Sequence, residues 1–160
     1  MHAAKAGAKE VLGLDISEEA VALATRNAEL NALANCSFRT ANVFDFLTEA
    51  SRTGKQWDVI VLDPPAFAKR RAAMENAYRG YKEINLRALK LLNPGGFLVT
   101  CSCSYNISES MFAQIVYEAA MDADTHVTLV ERRMQGRDHP VLLGVPETYY
   151  LKCFIVRKVG

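Results

Sequence analysis

Two cysteines two positions apart, Cys101 and Cys103, are the side chains of this sequence best suited to nucleophilic chemistry. They end an apolar run that predicts a β-strand, in which residues two apart share a face. A thiol at the carboxyl end of a strand, beside a helix capped by Ser108, can be stabilised as a thiolate by the helix amides. We expect Cys103, which lies nearer the rim, to be the nucleophile. Two ordinary buried cysteines are the alternative interpretation.

The sequence Asp63-Pro64-Pro65 is a second candidate for chemistry, because it directly follows the apolar run of residues 57–62. The proline rings fix the backbone and remove two N–H donors, which leaves carbonyl oxygens facing the crevice beyond the strand. Such a rigid turn can bind a flat base, and a purely structural turn is the alternative. Ala66 separates the prolines from Phe67, whereas enzymes that methylate exocyclic amines usually place the aromatic residue directly after them. This spacing counts against amine methylation.

Asp15 ends another apolar run and precedes a helix that Ser17 is placed to cap. In doubly wound α/β folds this is the position of the carboxylate that accepts hydrogen bonds from the ribose hydroxyls of a nucleotide. Aspartate is also a common turn former, so a purely structural role is an equally open interpretation.

Positive charge gathers beside the Pro-Pro turn at Lys69-Arg70-Arg71, Arg79 and Lys82. A rim of this kind suits contact with a polynucleotide backbone, and a solvated loop face is the alternative. Metal binding is not predicted, because zinc sites combine paired thiols with further Cys or His at a spacing that Cys36, Cys153 and the three histidines do not offer.

Composition limits the class of protein to which the chain can belong. Its 160 residues are half apolar, which suits one domain with a core of its own. Nineteen basic and eighteen acidic residues leave a net charge of +1, too balanced for a protein that coats nucleic acid. No apolar run approaches the roughly 20 residues of a membrane span, and no signal peptide is evident. We expect a soluble, cytoplasmic protein with reduced thiols.

Strands and helices alternate along the chain, which predicts a single α/β domain over residues 1–160 with a doubly wound, mostly parallel sheet. We expect the strands ending at Asp15 and Leu62 to be buried, and the last two strands to pair antiparallel. The carboxyl ends of the parallel strands then bring Asp15, Asp63 and Cys103 to one edge. The predicted strands are 10–15, 36–40, 57–62, 97–103, 127–133 and 149–156, and the predicted helices are 17–31, 43–52, 75–92 and 108–123.

Together these motifs resemble the S-adenosylmethionine-dependent rRNA large-subunit methyltransferase I family, which makes 5-methylcytosine. The resemblance covers essentially the whole chain. The residues that carry it are 6–17, 63–69, 101–104, 138–140, 146–147 and 150–152.

The resemblance implies a fold of the class I methyltransferase (Rossmann-like) type, S-adenosylmethionine as cofactor and large-subunit rRNA as partner. It assigns catalysis to Cys103 and Asp63. Asn42 stands where the family usually has an aspartate near the adenine. The implied cofactor-binding residues are Asp15, Ile16, Asn42, Val43 and Asp63, and the implied substrate-binding residues are Pro64, Pro65, Phe67 and Lys69.

The resemblance also implies that the family's first strand, its glycine-rich turn and its amino-terminal RNA-binding domains are absent from this sequence. In the resembling fold that strand lies between the strands that end at Asp15 and Leu62. We therefore expect these edges to be covered by rearranged pairing, by a strand of another copy or by a displaced amino-terminal segment. Self-association through exposed sheet edges follows as an expectation.

The chemistry implied for Cys103 is addition to carbon 6 of cytosine, because carbon 5 is too weak a nucleophile to take a methyl group unaided. Asp63 would hydrogen-bond the ring nitrogen, a carbonyl of the Pro-Pro turn would accept from the amino group, and an unidentified base would remove the proton of carbon 5. Two alternatives are open: methylation of another nucleobase atom or of a small molecule, and a cofactor-free domain that self-associates.

Overall fold

The computed structural model describes residues 1–67 and 74–159, which form two compact units, residues 1–49 and 50–160. The first unit contains the helix α1 (His2–Lys5), the strand β1 (Val11–Asp15), the helix α2 (Glu18–Leu30), the strand β2 (Cys36–Thr40) and the start of the helix α3 (Val43–Thr53). Strands β1 and β2 pair in parallel, with Gly13 opposite Phe38. Ser17 caps α2 as predicted, its Oγ accepting from the amide of Ala20 at 3.2 Å.

The second unit is built on a four-stranded sheet in the order β3-β4-β6-β5. Strands β3 and β4 are parallel, and β6 pairs antiparallel with both β4 and β5, which confirms the predicted antiparallel closure. The strands are β3 (Trp57–Leu62), β4 (Leu92–Ser102), β5 (His126–Arg133) and β6 (Lys152–Val159), and the helices are α4 (Met74–Lys90) and α5 (Glu109–Asp122).

The core of the second unit lies where α4 and α5 pack together and against the sheet. Each helix buries one stripe of apolar residues at three-four spacing, which is the pattern of an amphipathic helix. The ring of Phe112 lies 5.7 Å from that of Tyr81 and 5.2 Å from that of Phe154, so aromatic contacts join α4, α5 and β6. The buried residues of the two helices are Ala77, Tyr81, Ile84, Asn85, Ala88, Leu89, Phe112, Ile115, Val116, Ala119 and Ala120.

The sequence predicts that β1 and β3 are buried, and this prediction is wrong. Strand β1 is only half-buried along its length, and in β3 Val59 and Val61 are 56% and 64% exposed. Among the described strands β3 pairs only with β4, and it therefore forms the edge of its sheet. A continuous apolar run is typical of a central parallel strand, but it does not itself supply the neighbour that would cover it.

Strand β4 begins five residues earlier than predicted. Leu92 already pairs with Trp57, and an irregularity in the ladder separates this pair from that of Val59 with Phe97. Gly95 takes a φ of +78° inside the irregularity, a conformation that glycine adopts without strain. The residues Asn93-Pro94-Gly95-Gly96, which predict a break in the chain, therefore form a bend within the strand.

Within the described part of the chain, β1 is paired with β2 and not with β3, so the strands form two sheets. Rearranged pairing between these edges, one of the three expected coverings, is not observed there. The amino-terminal residues form α1 instead of a strand. Covering by a strand of another copy stays a prediction.

No helix in residues 1–67 and 74–159 combines the length and apolar character required to cross a bilayer.

We predict that Gly96→Ala lowers the free energy of unfolding of the second unit by about 2–3 kcal/mol. A Cβ at this position would lie 2.9 Å from two backbone oxygens, those of Asn93 and Asp58, which cannot move without distorting the bend. Urea denaturation measures the loss. Gly144→Ala is the control, since its φ of +88° costs about 1 kcal/mol but no atom lies within 4 Å. Equal losses in the two variants would show that the contact with the carbonyls is unimportant.

Candidate active site

The Pro-Pro turn and the end of β4 meet at the carboxyl edge of the second unit's sheet. Leu62 of β3 pairs with Thr100 of β4, so both strands end at the same level. Beyond them, the Sγ of Cys103 donates to the carbonyl oxygen of Pro64 at 3.8 Å. Asp63 is exposed and Cys103 is half-buried. The structure thus places a thiol against the turn that the sequence predicts to bind a base.

The residue after Cys103 is fixed by a buried polar network. Ser104 is fully buried, and its Oγ lies 2.9 Å from the hydroxyl of Tyr81 on α4. Its amide donates to the Oγ of Ser102 at 3.4 Å, and its carbonyl oxygen accepts from the Nζ of Lys152 at 2.8 Å. Because each of these groups is held from a different direction, the backbone on either side of Cys103 has little freedom to move.

Lys152 contacts this network through the carbonyl oxygen of Ser104, although the sequence marks it only as part of the segment 150–152. It is 3% exposed, and its Nζ also donates to the carbonyl oxygen of Tyr150 at 2.9 Å. Burial lowers the pKa of Lys152, and the charge of Cys103 acts in the opposite direction. An isolated lysine in the apolar strand pattern of residues 149–156 was the signal that could have identified it.

Cys101 differs chemically from Cys103 although the two share a strand. It lies opposite Cys153 in the antiparallel ladder of β4 and β6. Burial raises the pKa of Cys101, and a hydrogen bond with Cys153 raises it further. Cys101 is therefore a protonated thiol at neutral pH.

The other predicted substrate residues lie beside this edge or outside the described residues. The ring of Phe67 packs 4.7 Å from that of Tyr81, over Gly80 of α4. Pro64 is half-buried and Pro65 is exposed. Lys69 falls within residues 68–73, which lie outside the described part of the chain.

The two described basic residues of the predicted rim are engaged in ion pairs. Arg79 pairs with Glu75 one turn earlier on α4. Lys82 reaches Asp122 at 2.9 Å and Glu118 at 3.4 Å on α5, and the hydrogen bond to Asp122 is the main cause that raises the pKa of Lys82. Lys82 thus links α4 to α5, whereas the pair of Arg79 with Glu75 lies within α4.

Four of the five predicted cofactor residues lie in the first unit, and the fifth, Asp63, follows β3 in the second unit. Asp15 is exposed at the end of β1, and its Oδ1 accepts from the amide of Ser17 at 2.8 Å, which orients the carboxylate. The Oδ1 of Asn42 accepts from the amide of Phe44 at 2.9 Å at the start of α3. Ile16 is 74% exposed and Val43 is half-buried. An exposed carboxylate fixed through one oxygen is suited to accept hydroxyl hydrogen bonds, as a ribose requires.

Comparison with known proteins shows what this chain is similar to. A family model described as a methyltransferase domain matches residues 1–142. The chain is 45% identical over 161 residues to ribosomal RNA large subunit methyltransferase I of Tolumonas auensis, covering 99% of this chain and 41% of that protein. It is 46% identical over 159 residues to the protein of the same name from Aeromonas salmonicida, covering 98% and 40%. The chain thus spans about 40% of the length of these relatives.

Among solved structures, SMU.776 in complex with SAH has a TM-score of 0.83 and 24% identity to this chain. The match covers 97% of this chain and 40% of that one. At this level of identity the likeness shows a shared fold.

We predict that the stability lost in Cys101→Ala is about 1 kcal/mol at pH 7 and shrinks as the pH rises above 9. Because folding raises the pKa of Cys101, the contribution of this thiol to the free energy of unfolding is complete below its unfolded pKa, near 9. That contribution is lost as the pH rises toward the folded pKa. Urea denaturation from pH 7 to 10 measures the difference between the variant and the wild type. Cys36→Ala is the control, and a pH-independent cost for Cys101→Ala would contradict the prediction.

Proposed function

Because the chain belongs to the methyltransferase domain family, we propose that it transfers a methyl group from S-adenosylmethionine to carbon 5 of a cytosine in large-subunit rRNA. The names of its curated relatives support the RNA substrate. The observation that supports the choice of atom is the contact between Cys103 Sγ and the carbonyl oxygen of Pro64, because it joins the proposed nucleophile to the turn proposed to bind the base.

In the proposed reaction the Cys103 thiolate attacks carbon 6 of the cytosine and forms a sulfur–carbon bond, which shifts electron density onto carbon 5. S-adenosylmethionine, when bound, would supply an electrophilic methyl group, and its sulfur–methyl bond would break to leave S-adenosylhomocysteine. After carbon 5 is methylated, a base removes its proton, the electron pair re-forms the ring double bond, and the sulfur–carbon bond breaks. Cys103 leaves the cycle unchanged.

The turn has two proposed tasks in this reaction. Asp63, exposed next to Pro64 in the chain, would hydrogen-bond the ring nitrogen and stabilise the adduct. The carbonyl oxygen of Pro64 accepts from the thiol of Cys103 in the free chain. Once the thiol is ionised, this oxygen becomes available to the exocyclic amino group of the base. Pro65, Phe67 and Lys69 are proposed to line the rest of the substrate site.

We assign the ribose of S-adenosylmethionine to Asp15 and the adenine to the neighbourhood of Ile16, Asn42 and Val43. The orientation of Asp15 by the Ser17 amide fits this role, because the carboxylate keeps acceptor capacity after that bond is made. Asn42 is uncharged where a carboxylate is usual, but its Oδ1 still has a second lone pair beyond the Phe44 amide bond.

The target cytosine must be unpaired or flipped out of its stack, because carbons 5 and 6 cannot be approached from both faces inside a helix. We therefore expect single-stranded or loop RNA to be the better substrate.

We predict that Cys103→Ala abolishes the transfer of labelled methyl groups to carbon 5 of cytosine in large-subunit RNA. Cys101→Ala should reduce this transfer less than about threefold, because Cys101 is a protonated packing residue. Nucleoside mass spectrometry identifies the methylated atom. RNA containing 5-fluorocytidine should form a covalent complex with the wild type and with Cys101→Ala only, since fluorine cannot leave as the proton does. Full activity in both variants would instead support methylation of another atom.

We predict that Asp15→Asn weakens S-adenosylmethionine binding roughly 10- to 100-fold, the equivalent of losing hydrogen bonds to a charged group. The asparagine oxygen can still accept from the Ser17 amide, so the turn is kept. Titration calorimetry measures the affinity, with Glu19→Gln on the first turn of α2 as a control for charge and Cys103→Ala as a control for the thiol. Unchanged binding in Asp15→Asn would remove the ribose assignment.

A further inference from the structure

We propose that Cys101 and Cys153 are a redox pair: a low-molecular-weight disulfide oxidises them to a reversible disulfide between β4 and β6, while Cys103 stays a free thiol. All three cysteines are unlinked in this structure. The inference does not depend on the function proposed above, because that reaction assigns no chemical step to either member of the pair.

The ladder between β4 and β6 places the two cysteines directly opposite one another. Cys101 pairs with Cys153, and the pairs on both sides keep the same register. Opposite residues of an antiparallel ladder have Cα atoms about 4.5 or 5.5 Å apart, depending on whether the pair is hydrogen-bonded. A disulfide joins Cα atoms about 4.4–6.8 Å apart, so either kind of pair can be linked without moving a strand.

The two side chains also lie on the same face of the sheet. Phe154 contacts Phe112 of α5, with 5.2 Å between ring centroids, so its neighbour Cys153 faces the side of the sheet away from that helix. Cys101 faces the same side, because opposite residues of a ladder share a face. A hydrogen bond joins the two thiols and, after burial, is the next cause that raises the pKa of Cys101. The two thiols are thus already neighbours.

Cys103 is separated from this pair although it shares a strand face with Cys101. It lies beyond the last pair of the ladder between β4 and β6, so no residue of β6 is opposite it. Its Sγ contacts the carbonyl oxygen of Pro64, in the turn after β3, at 3.8 Å. Because β3 and β6 flank β4 on opposite sides, this sulfur is directed away from Cys153.

Exposure determines the order in which the two thiols react. Cys153 is half-buried whereas Cys101 is 8% exposed, so Cys153 meets a dissolved oxidant first. With its proton released to solvent, the Cys153 thiolate attacks one sulfur of glutathione disulfide, whose sulfur–sulfur bond breaks to release one glutathione thiolate. Cys101 then loses its proton and attacks the Cys153 sulfur, which releases the second glutathione. Two protein thiols are oxidised to one disulfide, and one glutathione disulfide is reduced to two thiols.

The test is incubation of the folded chain with glutathione disulfide, followed by denaturation, alkylation of free thiols with iodoacetamide and tryptic mass spectrometry. Trypsin places Cys101 and Cys103 in the peptide 91–132 and Cys153 in the peptide 153–157. We expect these peptides to be linked, with fragment ions that show the link at Cys101 and the alkyl group on Cys103. Dithiothreitol should separate the two peptides, since the disulfide is reversible.

Variants distinguish directly opposite pairing from proximity alone. Cys103→Ala should form the link within about twofold of the wild-type rate, whereas Cys101→Ala and Cys153→Ala should form it at least about 20-fold less. The matched control is the double variant Cys153→Ala/Ile155→Cys, which moves the thiol two residues along the same face of β6 and keeps it in the same tryptic peptide. Its thiol is then diagonal to Cys101, at about 7–8 Å, beyond the reach of a disulfide.

Several results would overturn the proposal: no link, a link at Cys103 in place of Cys101, a link between two copies of the chain on a non-reducing gel, or glutathione retained on Cys153. Equal linking in the wild type and the diagonal variant would also contradict it, since ladder register would not determine the pairing. The position of the link is assigned in the wild type, so a variant that does not fold leaves the test decisive. The assay uses neither RNA nor a methyl donor, and its outcome is independent of the proposed function.

Discussion

The need to satisfy a buried backbone carbonyl at the end of β4 governs the arrangement of the site. The carbonyl of Ser104 lies where water does not reach, and an unpaired group there would cost about 1–3 kcal/mol. Lys152 meets this need from β6, and Tyr81 holds the serine hydroxyl from α4. These contacts fix the chain that carries Cys103, and with it the distance between the sulfur and the Pro-Pro turn. A requirement of folding thus also supplies the rigidity that chemistry demands.

Depth within one strand gives two identical side chains different properties. Cys101 lies within the ladder, opposite Cys153, where burial and the neighbouring thiol keep it protonated. Cys103 lies beyond the last ladder pair and is half-buried, with its Sγ in contact with the carbonyl oxygen of Pro64. Two residues of β-strand, about 7 Å, are enough to separate a packing thiol from a candidate nucleophile.

Those features that depend on local pattern could be predicted from the sequence. The sequence predicts the bounds of β2 and β3 and the cap of α2 correctly, and it predicts Asp63 and Cys103 at one edge because parallel neighbours end together. The contact between Cys103 and Pro64 at that edge is seen only in the structure. Exposure of Val59 and Val61 could not be predicted, because burial depends on which strand lies alongside. Residues 93–96 predict a break where the structure has a bend, since pairing across an irregular ladder leaves no periodic signal in the sequence. The role of Lys152 depends on atoms contributed by distant residues, which no spacing reveals.

Trp57, which forms the irregular pair with Leu92, also determines which part of the molecule fluorescence can observe. Trp57 is the one tryptophan of the sequence, and all six tyrosines follow it, from Tyr78 to Tyr150. The first unit, residues 1–49, therefore contributes no fluorescence excited at 280–295 nm. The ammonium group of Lys55, over the indole ring at 5.4 Å, makes the emission of Trp57 sensitive to the ordering of β3 itself. Fluorescence reports on one unit and far-ultraviolet dichroism on both, so the two signals coincide on unfolding only where the two units lose structure together.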